Sequence, residues 1–503
     1  LSVSDIDPGI TYSTILSPMM DDGNGNYMGM GVTFSVTQEH PAPIPSENYI
    51  YTRTYQKKSA KIIDPLRFTQ NDSLVQNITY FDGLGRPIQQ VGIALTPKDG
   101  NGQAYDVVTP IGYDSVNRKH KEWLPYVDIV EDLGSLRVGD TTATKQYYLD
   151  SYPLDFPGIT NVQDINAFSQ KQFDSSPLNR ILKQAAPGSD WAMNQGNEIE
   201  FNYTSNTSLD EVRQFEVDLT EATVNGIVTF ESILIEESPN IMYDVGELYK
   251  TTTYDENHPG TSTKLHTVEE FKDKQGRVVL KRTYGPFDDD GNNEIDPGEE
   301  ELPHDTYYVY DDYGNLTYVL PPKMDATSST LPEVQGALDE LGYQYVYDHR
   351  NRLVEKKVPG KGLEYIVYNK LDQPVMTQDA VMRTNGQWLF TKYDAFGRVA
   401  YTGMADLTVG REQAQSNVEN AAAQYEEPDN GYYTYDTYPS IAITPNEGYT
   451  MNFYDNYDFD LNGYTIPTTV LGQDVSMDVK GLPTAITTRV LVDGPERWVL
   501  TLM

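Results

Sequence analysis

The chain has 503 residues and no cysteine. That removes disulfide staples, thiolate nucleophiles, Cys-ligated zinc and iron–sulfur clusters together. Basic residues are scarce as well: 37 Lys and Arg stand against 75 Asp and Glu, a formal charge of −38. Phosphate backbones are repelled by such a surface, so nucleic acid is not an expected partner. No apolar run is long enough to span a bilayer, and membrane insertion is not expected. No charged-then-apolar leader precedes Leu1, and the chain opens on Leu rather than Met, so the true N-terminus is expected to be missing.

Histidine is sparse too. His40, His120, His258, His266, His304 and His349 show no His-Glu-x-x-His pair and no zinc spacing. Gly-x-Ser-x-Gly, phosphate-binding and dinucleotide loops are missing. Carboxylate pairs are too plentiful in so acidic a chain to nominate a glycosidase dyad. The expectation is therefore a protein that is not an enzyme, with no catalytic residue.

What is abundant is tyrosine, 38 residues against 15 Phe. Tyrosine favours strands and pairs an apolar ring with a hydroxyl that tolerates a half-wet surface. Many β-strands are expected.

One unit recurs along the chain. It is plainest in Lys392-Tyr393-Asp394-Ala395-Phe396-Gly397-Arg398, in Phe81-Asp82-Gly83-Leu84-Gly85-Arg86, and in Tyr310-Asp311-Asp312-Tyr313-Gly314-Asn315. Weaker copies run from Asp114 to Asn117 and Arg118, Asp348 to Asn351 and Arg352, Asn369 to Asp372 and Gln373, and Asp273 to Gly276 and Arg277. An irregular copy spans Phe173-Asp174 to Asn179-Arg180. In the seven regular copies the residue three after the Asp, or after Asn369, is Gly, Asn or Asp, residues that tolerate positive φ. A type I turn wants Asp at its first position, and a following left-handed residue makes the bulge that closes a three-residue hairpin loop. Each copy thus reads as strand, tight turn, strand, with the Asp and Arg as turn-forming and strand-bridging groups.

Two segments break the β-pattern: Pro332 to Leu341, and Arg411 to Glu427 before Pro428. Both read as short surface helices. The organisation expected is an N-terminal extension over 1–47, first hairpins over 48–130, a diverged or inserted β region over 131–240, and repeats over 241–503 with a helical insertion near 408–427. The chain stops inside a β-pattern, Trp498 to Leu502, and is expected to continue beyond 503.

At these residues the chain resembles the RHS/YD-repeat family, whose unit is Tyr-Asp-x-x-Gly-Arg followed by a hydrophobic strand. It is most similar to RHS proteins of the Bacteroidota lineage, through Asn48 to Tyr55, Ile78 to Gln89, Lys272 to Lys281 and Lys480-Gly481-Leu482-Pro483-Thr484. The resemblance runs from roughly Asn48 to the C-terminus. It implies an all-β fold of successive antiparallel hairpins whose sheet spirals into a cocoon or shell. It also implies secretion or display at the cell surface, by the type IX machinery, with the remainder of the same chain as partner. The RHS-associated core with its self-cleaving aspartate has no match here; Asp7-Pro8, Asp64-Pro65 and Asp296-Pro297 are isolated pairs. The function expected is a structural or encapsulating scaffold of a polymorphic toxin. An adhesin or carbohydrate-binding module that uses exposed tyrosines is the alternative.

One local motif stands apart, Asp288-Asp289-Asp290-Gly291-Asn292-Asn293-Glu294-Ile295-Asp296-Pro297-Gly298-Glu299. Oxygen ligands fall at Asp288, Asp290, Asn292, Asp296 and Glu299, as in a calcium loop, and Glu294 can offer its carbonyl. Calcium is the expected cofactor, as a stiffener of the loop. Asp458-Phe459-Asp460-Leu461-Asn462-Gly463 shares the early spacing without a distal Glu and reads as a turn, and Asp21 to Asn26 is weaker still.

Overall fold

The computed structural model describes residues 20–21, 27–28, 48–55, 74–100, 102–129, 133–260, 262–286, 301–429, 431–441, 448–459, 465–470, 473–490 and 497–502. Its contacts divide the chain into two units, 1–202 with 253–266, and 203–252 with 267–503. Both are built mainly of antiparallel strands, as the repeat pattern leads one to expect.

In the first unit, strand Asn48–Tyr55 pairs with Leu74–Phe81, which pairs with Pro87–Gly92, which pairs with Asp106–Gly112. The ladder continues through Lys121–Trp123, Phe168–Phe173 and Ile181–Ala185. Alternate residues of Asp106–Gly112 are buried, as a strand with one dry face requires. Ile78, Tyr80, Val91, Val108 and Tyr126 form the core there. Asp106 is buried among them, and its charge is met by the N–H groups of Ala94 (2.8 Å) and Gly134 (2.6 Å) and by Arg137 (3.0 Å). The region expected to be diverged β also holds a helix, Asp140–Ser151. Its residues are mostly polar, with three threonines and two tyrosines, so neither its composition nor its periodicity announces a helix.

In the second unit the ladder runs in chain order through Thr267–Lys272, Val278–Gly285, Leu302–Tyr310, Leu316–Leu320, Tyr343–Tyr347 and Leu353–Lys357. It goes on through Glu364–Tyr368, Pro374–Gln378, Gln387–Tyr393, Val399–Asp406, Gly448–Tyr454, Pro483–Val490 and Arg497–Leu502. No described pairing returns its last strand to its first. Antiparallel succession gives this sheet two unlike edges. One carries the tight turns, and the other carries the described connections 321–342, 358–363, 379–386 and 407–429.

One face of this sheet is dry because the connections fold over it. Phe271, Leu280, Tyr307, Val309 and Leu320 are covered by the inserted hairpin Glu216–Val224 and Ile227–Ile235, and by Val334 of helix Leu331–Leu341. Trp388, Phe390, Tyr401 and Met451 lie under Ala414 and Val418 of helix Arg411–Asn420. The two foreseen helices therefore have a solvent side and also an inner side that completes the core. The second ends at Asn420, short of Glu427, because Ala421 is already extended and the chain beyond turns inward to bury Glu426.

Glu426 is fully buried beside Lys392, whose side chain is 1% exposed. The Lys392 ammonium donates to the Thr437 carbonyl (2.8 Å), the Thr437 hydroxyl (2.6 Å) and the Pro439 carbonyl (2.9 Å). The Glu426 carboxylate accepts from Thr434 Oγ1 (2.8 Å), Asp436 N–H (2.9 Å) and Thr437 Oγ1 (2.6 Å). Burial pushes the Lys392 ammonium down to about 8. Removing one member of a buried, hydrogen-bonded pair strands the other. Lys392→Met is expected to cost about 3 kcal/mol in urea unfolding; a loss below ~1 kcal/mol would mean that Glu426 finds water or a proton instead.

Candidate functional site: the clasped turns

Each repeat turn is closed by the two oxygens of one carboxylate. The Asp82 N–H donates to the Arg86 carbonyl (2.9 Å), and the Gly85 N–H donates to the Asp82 carbonyl (3.0 Å). Asp82 Oδ1 accepts from the N–H groups of Leu84 and Arg86, both at 2.9 Å, while Oδ2 accepts from Arg86 Nε at 2.8 Å. The same set closes the turns of Asp114, Asp273, Asp348 and Asp394, where Arg118, Arg277, Arg352 and Arg398 reach Oδ2 at 2.8, 2.7, 2.7 and 2.6 Å. Where Asn315 replaces Arg, its amide donates to Asp311 Oδ2 at 3.0 Å. Where Asn369 replaces Asp, the polarity reverses: Oδ1 still accepts from Leu371 and Gln373 N–H (3.0 Å each), but the amide donates to Gln373 Oε1 (2.8 Å). Asp174 closes its longer turn in the same way, with Arg180 Nε at 2.9 Å and Ser176 Oγ at 2.6 Å.

The residue three after the Asp is left-handed in all seven regular copies, with φ between 57° and 83° at Gly85, Asn117, Gly276, Gly314, Asn351, Asp372 and Gly397. Gly occupies this region freely, Asn and Asp at some cost, and other residues seldom. A register shift in the strand pairing accompanies each turn where the ladder meets it, for example between Val309 and Tyr310 and between Val367 and Tyr368.

The turns are also tied to one another. The tyrosine before each Asp donates its hydroxyl to the carbonyl that follows the Arg position of the preceding turn. Tyr113 bonds Pro87 (3.0 Å), Tyr310 bonds Val278 (3.0 Å), Tyr347 bonds Leu316 (3.1 Å), Tyr368 bonds Leu353 (3.0 Å) and Tyr393 bonds Pro374 (3.0 Å). Burial raises the phenol pKa of Tyr310, Tyr347, Tyr368 and Tyr393, which keeps them protonated donors. The guanidinium of the preceding turn lies over the same ring: Arg86 over Tyr113 at 4.6 Å, Arg277 over Tyr310 at 4.9 Å, Arg352 over Tyr368 at 4.8 Å. Arg118 covers Phe173, which has no hydroxyl to give, at 4.6 Å.

The non-glycine residues in the left-handed slot have a second role that the sequence did not disclose. Asn117 Oδ1 accepts from Arg86, Asn179 Oδ1 from Arg118 (3.1 Å), Asn351 Oδ1 from Asn315 (3.2 Å), and Asp372 Oδ1 from Arg352 (2.8 Å). In each case the donor belongs to the preceding turn. At Gly397 a Cβ would meet Gln373 Nε2 at 3.1 Å. The slot therefore selects Gly, or a residue able to bond the neighbour across it.

One further turn escaped the repeat pattern. The Asp455 N–H donates to the Leu482 carbonyl (3.1 Å), Gly481 N–H donates to Asp455 Oδ1 (2.6 Å), and Tyr454 pairs with Pro483 as Phe81 pairs with Pro87. This is the same turn with residues 456–480 inserted between its Asp and its Gly. Tyr454 bonds the Val399 carbonyl (3.0 Å) under Arg398 (4.2 Å), as the other tyrosines do. Leu482 replaces the Arg, and Arg398 of the preceding turn reaches Asp455 Oδ2 at 2.6 Å instead. That contact holds the Asp455 carboxyl below its usual range. Tyr454-Asp455 and Lys480-Gly481-Leu482-Pro483 carried the signal, separated too widely to be joined by spacing.

The calcium-like segment Asp288, Asp290, Asn292, Glu294, Asp296 and Glu299 lies outside the described residues. In sequence it falls between strands Val278–Gly285 and Leu302–Tyr310. Among the described residues no three His, Asp or Glu side chains gather as a metal site would need. Phe459 of the Asp458 segment stacks on Phe453 at 4.4 Å, and residues 460–463 are outside the described set, as is most of 21–26. No described helix is long and apolar enough to cross a membrane, which says nothing of membrane-crossing strands.

A protein-family profile described as a domain of unknown function, DUF6443, matches residues 51–205. No curated protein sequence matches. Solved structures similar to this chain include the crystal structure of TcdB2-TccC3-TEV, 13% identical over 84% of this chain and 16% of that one, with a TM-score of 0.41. TcdB2-TccC3 is 13% identical over 85% and 19%, with a TM-score of 0.40. The Photorhabdus luminescens Tc holotoxin pore is 13% identical over 85% and 18%, with a TM-score of 0.38. This chain spans less than a fifth of the length of these structures.

The clasp is testable as a coupled pair. Tyr310→Phe strands the Val278 carbonyl and is expected to cost about 1 kcal/mol. In a double-mutant cycle of Tyr310→Leu, which removes the ring, with Arg277→Ala the coupling is expected at about 0.5–1 kcal/mol. Strict additivity in urea unfolding would show that ring and guanidinium do not interact.

A second expectation concerns acid. The Arg86 N–H and then its guanidinium hold the Asp82 carboxyl below its usual range, and Arg118 does the same for Asp114 through its own N–H first. A folded pKa below the unfolded one adds stability that is present above the ordinary carboxylate value and is lost as pH falls through the folded value. Asp82→Asn should therefore lower stability at neutral pH and flatten its decline in acid. An acid limb as steep as that of the unsubstituted chain would reject this.

Proposed function

We propose that this chain is a structural segment of an RHS/YD-repeat protein of the Bacteroidota type, forming part of the wall of an exported shell that encloses further parts of the same polypeptide. The observation that carries this reading is the in-register clasp. Every repeat residue singled out in the sequence is used to close its own turn or to bind the next, so the repeats build a ribbon and leave no group aimed at a substrate. A ribbon whose units each lock to their neighbour is extendable by adding units, which is what a wall requires. The acidic charge and the lack of cysteine suit a soluble, disulfide-free exported protein, and the type IX machinery is the export route proposed for it.

Six repeat tyrosines, Tyr113, Tyr310, Tyr347, Tyr368, Tyr393 and Tyr454, already give their hydroxyls to backbone carbonyls. This weighs against a carbohydrate-binding role built on them. No catalytic role is proposed.

Electron cryo-microscopy of the full natural polypeptide containing this chain is the test. A hollow particle with this chain in its wall is expected. An extended rod, or a solid domain with a cleft walled by this chain, would refute the shell. Glycan-array binding lost on replacing exposed tyrosines would favour the adhesin instead.

A further inference from the structure

Closing a turn uses only the backbone N–H of the residue just before the left-handed slot and asks nothing of its side chain. In three of the five regular turns of the second unit that position nevertheless holds a large apolar group, Tyr313, Leu371 and Phe396, exposed at 66%, 55% and 80%, although Arg398 lies over the Phe396 ring at 5.0 Å. Tips of tight turns ordinarily carry polar residues, and an exposed apolar series in register marks a contact surface.

The tips follow one another along a single sheet edge, because each turn joins two strands that pair with the strands of the next. Neighbouring tips are two strands apart, about 10 Å. Taken outward from the Asp348 turn, the row is self-complementary. One step to either side lie Asp312-Tyr313 and Lys370-Leu371, all exposed. Two steps to either side lie Gln275 and Phe396. A two-fold axis through the Asp348 turn sets Asp312 of one chain against Lys370 of its mate, and Tyr313 against Leu371, and does each twice. An isologous interface has this arrangement. Arg350, at the axis, has its charge met by Asp372 of the next turn (2.7 Å).

The edge is locally balanced in charge although the chain carries −38, since each turn Asp has its Arg or amide partner. Two like rows can therefore meet where two arbitrary faces of this chain would repel. Tyr313 also shows what covers such a tip: Phe230 of the inserted hairpin approaches its ring at 6.5 Å between centroids.

We propose that a second copy of this chain docks on this edge, tip row against tip row and antiparallel, about a two-fold axis at the Asp348 turn. The contact is short, in the weak class of interfaces, and is populated at roughly 5–200 µM.

Sedimentation velocity over that range tests it, at near-physiological salt where charge repulsion is confined to roughly 8 Å. The mass is expected to rise from 56.7 kDa toward twice that value with concentration. Phe396→Asp and Tyr313→Asp should keep the chain monomeric, with unchanged circular dichroism because both side chains are exposed. Asp312→Lys or Lys370→Asp alone should weaken association about tenfold, and the double exchange Asp312→Lys with Lys370→Asp should restore it. A mass fixed at the monomer value throughout overturns the proposal and leaves the row to a different segment or protein. A dimer indifferent to the charge exchanges overturns it equally, whatever the apolar variants do.

Discussion

The ribbon depends on one bifunctional side chain, an aspartate whose two oxygens face different ways. Oδ1 draws two backbone N–H groups inward and so fixes the turn. Oδ2 draws in the Arg side chain and so fixes the direction of the guanidinium. Each contact is modest, about 1 kcal/mol net for a neutral donor and somewhat more for a charged one. Their effect is geometric. Once held by Oδ2 the guanidinium has few rotamers left, and it lies flat over the aromatic ring of the next turn at little further entropic cost.

That arrangement explains why the aromatic is tyrosine. A phenylalanine would satisfy the cation, as Phe173 does under Arg118. Only tyrosine also reaches the carbonyl behind the guanidinium, a backbone group at the point where the ladder is broken by the bulge. A half-buried carbonyl without a donor costs more than an ordinary hydrogen bond returns. The phenol hydroxyl removes that cost in six copies, which gives six of the 38 tyrosines a specific reason beyond strand propensity.

Much of this was legible in the sequence, and what was not has physical causes. The turn residues could be placed because positive φ restricts the slot to few residue types, so Gly85, Asn117 and Asp372 are recognisable as equivalents. The reason for Asn over Gly was hidden, since it lies in the neighbouring turn: Asn117 answers Arg86 and Asn351 answers Asn315, contacts between hairpins that no local pattern reveals. Helix Asp140–Ser151 was hidden because its tyrosine-rich sequence resembles the strands around it. The inner faces of the other helices were hidden because Ala414 and Val418 become core only once Trp388 and Phe390 need a cover.

The Asp455 turn shows how much of the motif is essential. With residues 456–480 inserted and Leu482 in place of Arg, the bond from Asp455 N–H to the Leu482 carbonyl persists, Gly481 N–H turns from the Asp carbonyl to its Oδ1, and the tyrosine clasp on Val399 remains. The guanidinium is lost and Arg398 substitutes from the turn before. The ribbon thus tolerates losing the internal cation when a neighbour supplies one, and it tolerates an insertion at the tip when the Asp and the left-handed residue still meet. The alternating strand register and the fixed approach of one turn to the next allow no such latitude. For that reason the larger insertions, with their helices, are gathered on the opposite edge, where a connection need only return the chain to the neighbouring strand.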